Sequence, residues 1–444
     1  MAKENRQDKI SNEISLKPSQ IYQSMRMADK IGDSMMIWGA PGIGKSMLAK
    51  QYANENYPLL KDNLELIAKL EARVADNDDD YTQSQLDAFK ATLIDQETNF
   101  IDFRLSQIEP TDLRGIPVPV KRYADEDGNV VFQHELQEGR NYKESTSVEW
   151  AAPAALKLNK DWKGVIMFDE INSAMPIVQA ASYQLILDRC IGELQLPKGA
   201  FILAAGNRDT DGGVTFALAT PLRDRMTHLT MKADLDDWVD NFAVKNRVHP
   251  RVVGYLKSAD SHFNTLNPQD PSHSGGTSPR SWVRVSDFEY YRDANPNVPR
   301  EIMKAMISGR VGDAIGSTYL AYTENVADLP ATMDILTGKV KNLDGRKLDI
   351  SQNYFISLNL VYKIIDLNEA KNTKELSMKD WSTLCGNFLE FIDKNFGEKN
   401  NKELVILSIR TLTEAKCMIR AKEVARYESF VERYSELVIK SRNI

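Results

Sequence analysis

Two stretches of this chain carry residue types at spacings suited to phosphate chemistry. The first is GAPGIGKS, Gly39 to Ser46, which fits the pattern Gly-x-x-x-x-Gly-Lys-Ser/Thr. An apolar run, Met35 to Trp38, precedes it and a helix-forming run follows, the context a phosphate-binding loop requires. The loop Gly39, Ala40, Pro41, Gly42, Ile43 and Gly44 would turn its backbone N–H groups, of which Pro41 has none, onto a β-phosphate. Lys45, Ser46 and Met47 open the helix whose N-terminus adds partial positive charge. Lys45 would reach the β- and γ-phosphates, and the Ser46 hydroxyl would ligate Mg²⁺. The second stretch is KGVIMFDE, where the apolar run Val165 to Phe168 stops at two adjacent carboxylates, Asp169 and Glu170. Carboxylates taken out of water need a positive partner. The loop supplies one: Asp169 would hold the Mg²⁺, directly or through water, while Glu170 would orient and deprotonate the attacking water.

Adenine is the better-supported base. A guanine site would show Asn-Lys-x-Asp, and the nearest match, NKDW at 159 to 162, ends in tryptophan. An ABC-type ATPase would place its signature before the acidic strand, whereas HSGGT comes after it at 273 to 277. The expected cofactors are therefore ATP and Mg²⁺.

The elements that must position these residues follow from the pattern of the chain. With 444 residues, 42% apolar and 27% charged, the composition is globular and calls for two or three domains. Five apolar strands are expected at Met35 to Trp38, NFIDFRL, GVIMF, AFILAAG and THLTM, alternating with helices, which makes a mainly parallel sheet in an α/β domain. Charged and apolar residues at helical spacing predict a helical hairpin at 61 to 95, broken by the acidic run at 76 to 80. The spacing of that run lacks the glycine and final glutamate of a calcium loop. The turn Asp127-Gly128 between β-formers predicts a hairpin at 117 to 136, and a second short hairpin falls at 190 to 200. From about 233 onward the chain reads as helical apart from a loop at 264 to 280 and a polar stretch near 337 to 350, and His262 and His273, in a Pro/Gly/Ser/Asn-rich loop, read as solvated.

The 63 acidic residues outnumber 56 basic ones, for a net charge of −7, which disfavours broad nucleic-acid or anionic-membrane binding. No apolar run approaches a membrane span, and the polar N-terminus lacks a signal-peptide core. Cys190, Cys385 and Cys417 are far apart and read as reduced thiols of a cytoplasmic protein.

GAPGIGKS, FDEINSAMPIVQAASYQLILDR, AAGNRD, PLRDRM and SPRSW occur in that order. This series resembles the MoxR-type, dynein-related branch of the AAA+ ATPases of bacterial or phage origin, over about residues 15 to 290. The resemblance implies a P-loop AAA+ core with a mainly parallel five-stranded sheet, an α-helical lid and a further helical C-terminal region. Its boundaries would be a flexible arm at 1–15, a nucleotide-binding domain at 16–232, a lid at 233–325 and a C-terminal region at 326–444. It implies that Asn207 holds the lytic water and senses the γ-phosphate. Arg225, with Arg223 as the alternative or a co-worker, would be the arginine finger that reaches nucleotide on a neighbouring subunit. Arg280 would contact the γ-phosphate from the lid, and Ser106 or Gln107 would restrain the catalytic glutamate. The family's hairpin insertions match 117–136 and 190–200. The charged insertion at 61–95 departs from the compact family core, as a docking element or as surface decoration.

The function implied is a homo-oligomeric, hexameric ring whose ATP hydrolysis remodels, activates or matures a protein client, such as a partner with a von Willebrand factor A domain. The alternative is an ATP-driven nucleic-acid motor of a restriction, defence or replication type. The acidic balance and the lack of a basic, aromatic-interleaved stretch weigh against that alternative.

Overall fold

The computed structural model describes residues 14–434, apart from 76–82, 126–129, 132–140, 152, 192–193, 209–210, 212–214, 268–275, 344–347, 374, 398–400, 416, 418–423, 425–426, 428 and 431. The acidic run, the Asp127-Gly128 turn, His273 and residues 1–13 of the expected arm lie outside the described residues. The chain divides into two compact units, Met1–Lys232 and Ala233–Ile444.

The first unit is built on a parallel sheet. Its strands are β1 (Ser15–Leu16), β2 (Met35–Trp38), β3 (Phe100–Arg104), β7 (Lys163–Asp169), β10 (Gly199–Gly206) and β11 (Thr227–Met231). They lie in the order β1-β11-β2-β10-β7-β3, all neighbours parallel. Beside this sheet, β4 (Ile116–Ala124), β5 (Val130–Val131) and β6 (Lys143–Ala151) form an antiparallel three-stranded sheet, and β8 (Cys190–Ile191) pairs with β9 (Leu194–Gln195).

Continuous apolar runs make the central strands. Every residue of β7 after Lys163, and of β10 after Gly199, is buried, as strands covered on both faces require. On one face Ile101, Ile166, Phe168, Ile202 and Ala204 pack against Leu113, Val178, Leu185 and Leu222 from the flanking helices. Strand β10 is inserted between β2 and β7. The acidic strand therefore lies one strand away from the strand that feeds the phosphate loop.

All five anticipated strands are present, and a sixth is added. Ser15, assigned from sequence to a loose arm, pairs with Thr230, and Leu16 with Met231, because the backbone of β11 offers an open edge there. The anticipated helical hairpin contains Leu64–Ala75 and Gln83–Thr92. The hairpin at 117–136 is part of a larger structure. Its first strand pairs briefly with β5 and along its whole length with β6, from Ile116↔Ala151 to Ala124↔Lys143.

The second unit is helical among its described residues. One hydrophobic cluster runs from Trp238 to Tyr434, so the segments before and after residue 326 share a core. Helix Pro279–Ala294 starts on a Ser278 cap and is fastened by ion pairs from Arg251 to Glu289 and Asp293. His262 is not simply solvated: its Nδ1 meets the Tyr255 hydroxyl at 2.7 Å. Among the described residues, no helix is long and apolar enough to cross a membrane.

Candidate active site

The carboxyl ends of β2, β10 and β7 bring the motif residues together. After β2 the chain turns through Gly39–Gly44, where Gly42 (φ 78°) and Gly44 (φ 102°) take the left-handed conformation that glycine adopts at little cost. Gly39 is needed for space. A Cβ there would lie 2.6 Å from Ile43 Cδ1 and 2.7 Å from the Met231 carbonyl oxygen. Helix Lys45–Asn56 begins directly after the loop, so its unpaired N–H groups face the loop's concavity.

Lys45 is buried, with its Nζ donating to the carbonyls of Gly39 at 2.6 Å and Ala40 at 3.1 Å. The same ammonium donates to Asn207 Oδ1 at 3.0 Å. That bond leaves the Asn207 Nδ2 hydrogens without a partner among the described residues. Ser46 Oγ donates to Asp169 Oδ2 at 2.5 Å, and Asp169 Oδ1 accepts the Glu170 N–H at 2.9 Å.

Glu170 sits at φ 55°, a left-handed conformation costly for a residue with a Cβ. The turn swings the chain off β7 into the short helical turn Ile171–Ser173 and points the carboxylate at Ser106. Ser106 Oγ donates a short hydrogen bond to Glu170 Oε2. Of the two polar residues expected to restrain the glutamate, Ser106 and not Gln107 makes this contact.

Two site residues escaped the sequence reading. Asn172, 2% exposed, donates from Nδ2 to the Asn207 carbonyl at 2.6 Å and accepts the Asn207 N–H on Oδ1 at 3.2 Å. It therefore fixes the backbone of Asn207 from both sides. Asp102 on β3 is the second. Burial, and then the negative charges of Asp169 and Glu170, push its carboxyl above the ordinary range, while Arg104 opposes them. Neither residue was assigned a role from sequence: Asn172 lies within FDEINSAMPIVQAASYQLILDR as an asparagine in a tight turn, and Asp102 is a single acid in a five-residue strand.

Ser46 Oγ and Asp169 Oδ2 are hard oxygens already in contact, which suits Mg²⁺, an ion that takes one or two protein ligands and fills its shell with water and phosphate. Among the described residues, no group of three or more His, Cys, Asp or Glu is placed to hold a metal ion by itself.

Arg223 and Arg225 share no hydrogen bond or ion pair with this cluster among the described residues. Arg223 is in the short helix Thr220–Asp224 and Arg225 caps its end; both are exposed, and neither guanidinium has a partner among the described residues. Asp224 does not pair with either. Arg280 is exposed in the first turn of Pro279–Ala294, within the second unit.

No family model and no curated protein matches the chain. Solved structures that overlap it include two mutant forms of RuvB from Thermotoga maritima. One is 15% identical, covering 72% of this chain and 73% of that one, with a TM-score of 0.29. The other is 14% identical, covering 85% of each, with a TM-score of 0.29. A third is NtrX from Brucella abortus in complex with ADP, 14% identical, covering 90% of this chain and 68% of that one, with a TM-score of 0.28. Overlaps this weak leave the site to be read from its own geometry.

Proposed function

We propose that the chain is a Mg²⁺-dependent ATPase of the AAA+ class, MoxR-like, that hydrolyses ATP at the interfaces of a homo-oligomeric ring and spends the energy on a protein client. The observation that carries this reading is the meeting of four chain segments at the carboxyl end of one sheet: Lys45 with Asn207, Ser46 with Asp169, and Glu170 with Ser106. Each contact joins residues singled out by the motifs to residues singled out by the motifs or by the family resemblance, and the insertion of β10 between β2 and β7 puts Asn207 between the loop and the carboxylates. The unpartnered, exposed Arg223 and Arg225 fit side chains that act on another subunit.

In this reading the loop N–H groups and Lys45 hold the β- and γ-phosphates, and Ser46 and Asp169 hold the ion, which when bound offsets phosphate charge. Asn207 offers its Nδ2 hydrogens to the attacking water, and Glu170 takes the water's proton after leaving Ser106. Arg225, with Arg223 beside it, supplies positive charge to the transition state on the neighbouring copy. Hydrolysis then depends on assembly, which converts turnover into subunit motion. A hexamer and a client with a von Willebrand factor A domain are the forms that the family resemblance favours.

The test is a pair of variants. Lys45→Ala should abolish ATP binding. Arg225→Ala should leave binding within about threefold while turnover falls about 10³-fold, the scale of a lost arginine finger. Normal ATP binding by Lys45→Ala would refute the loop assignment, and full turnover by the Arg223→Ala/Arg225→Ala double variant would refute catalysis across an interface.

A further inference from the structure

Strand β2 ends in Trp38, one residue before the phosphate loop, and β11 begins two residues after Arg225. The register sets Thr230 opposite Trp38, so His228 lies two residues back on the same face of the sheet. The two rings stack, with centroids 6.0 Å apart and planes 17° from parallel. Trp38 Nε1 can only donate, and it donates to His228 Nδ1 at 2.9 Å, so Nδ1 carries no proton. The other ring nitrogen, Nε2, is 3.0 Å from the Arg223 carbonyl oxygen, which can only accept. A single species satisfies both contacts: neutral imidazole with its proton on Nε2. Burial also disfavours the charged form of this half-buried ring.

The carbonyl that His228 engages belongs to a short element with few internal bonds. Helix Thr220–Asp224 is only five residues long, and the carbonyls of its last turn have no helical partner. Without His228 the Arg223 carbonyl would need water, and the segment carrying both arginines would be held at its flanks alone, by the buried Leu222 and Met226 and by Thr227, which donates to the Ser34 carbonyl and to Asp33.

We infer that His228 is a positioning residue. It pins the Arg223–Arg225 segment to the end of the strand that bears the phosphate loop, and so sets where a subunit holds the arginines it presents to its neighbour. This rests on the proposed action of those arginines across an interface.

The test separates presenting arginines from binding ATP. A Lys45→Ala donor cannot use nucleotide but presents both arginines; an Arg223→Ala/Arg225→Ala acceptor binds ATP but presents neither. Mixed, they should turn over ATP only at sites formed between the two. If the Lys45→Ala donor restores nothing, catalysis across an interface falls, and this inference falls with it, before His228 has been altered. If it restores turnover, adding His228→Ala to the donor should lower kcat of the mixture by about fivefold, the worth of one lost hydrogen bond, with KM unchanged because the ATP-binding copy is intact. His228→Gln in the donor, whose amide can still donate to the Arg223 carbonyl, should recover most of the loss. Equal kcat with His228→Ala and unaltered donors would overturn the inference, as would a change in KM alone or a His228→Gln donor as poor as His228→Ala. Should His228→Ala fail to fold, ¹⁵N resonances of histidine-labelled wild-type protein decide: a proton on Nε2 of His228 supports the pinning, and a proton on Nδ1 overturns it.

Discussion

Asn172 makes no contact that a motif would assign, yet turnover should depend on it. Its side chain is 2% exposed and holds the Asn207 backbone through bonds of 2.6 and 3.2 Å. Asn172→Ala removes both bonds and leaves a buried N–H and C=O without partners. The two losses together cost about 2–4 kcal/mol. For a unit of this size that lowers the thermal midpoint by roughly 5–15 °C. The catalytic effect should be larger than the loss of folded protein explains. Asn207 reaches Lys45 Nζ at 3.0 Å only while its backbone is held, and a displacement of about 1 Å at a reacting centre costs on the order of 100-fold. We expect kcat to fall about 10- to 100-fold below the melting range, with ATP affinity changed less than about threefold because Asn172 does not touch the loop. Asn172→Asp is the sharper perturbation. It keeps the shape and the Oδ1 acceptor, but turns the 2.6 Å donor contact into a carboxylate facing a carbonyl. Steady-state hydrolysis and fluorescent-nucleotide binding on the same preparations separate the two effects. Wild-type kcat in Asn172→Asp would refute the claim that Asn207 acts from a backbone fixed by residue 172.

Other perturbations should be as informative. The Ser106–Glu170 bond must break before Glu170 can take a proton, so Ser106→Ala should raise basal hydrolysis about three- to tenfold; a rate equal to or below wild type would contradict a restraining role. In the second unit, burial pushes His249 below its ordinary 6.5, although Asp293 pulls the other way. The unfolded chain therefore binds this proton first, so the stability is fully present above the unfolded value and is lost as pH falls below it. The thermal midpoint should drop between about pH 7 and pH 5, and less steeply in His249→Asn, which keeps an acceptor for the Arg251 N–H; identical slopes would exclude His249 as a source. His228, also held low by burial, would contribute to the slope that remains.

How much could be read from sequence depended on how local each feature is. The phosphate loop was legible because its glycines, lysine and serine are contiguous and their backbone geometry is local. Asp169 and Glu170 were legible because an apolar strand ending in paired acids is costly without a cation to meet them. Asn207 and the arginines needed a family resemblance, since an asparagine after a glycine or an arginine after an aspartate has many other uses. Asn172 gave no signal: its role arises from the approach of Gly206, where a Cβ would lie 2.6 Å from Asn172 Oδ1. Strand β1 escaped because two residues carry no periodicity, and only the open edge of β11 makes them a strand. Strand β6, KESTSVEWA, escaped because its polar residues do not alternate as a half-buried strand does; pairing with β4 defines it. The Trp38–His228 pair is equally invisible, being separated by 190 positions and joined only by the register of β2 and β11.

Glu170→Gln tests the central claim most directly. The substitution preserves the shape beside Ser106 and Asp169 while removing the group that takes the proton from water. Equilibrium ATP binding with Mg²⁺, followed by single-turnover hydrolysis, should show affinity within about threefold of wild type and a hydrolysis rate lower by about 10²- to 10⁴-fold. Hydrolysis within threefold of wild type, or failure of the wild-type chain to bind Mg²⁺-ATP at all, would contradict the assignment of this end of the sheet as an ATPase centre.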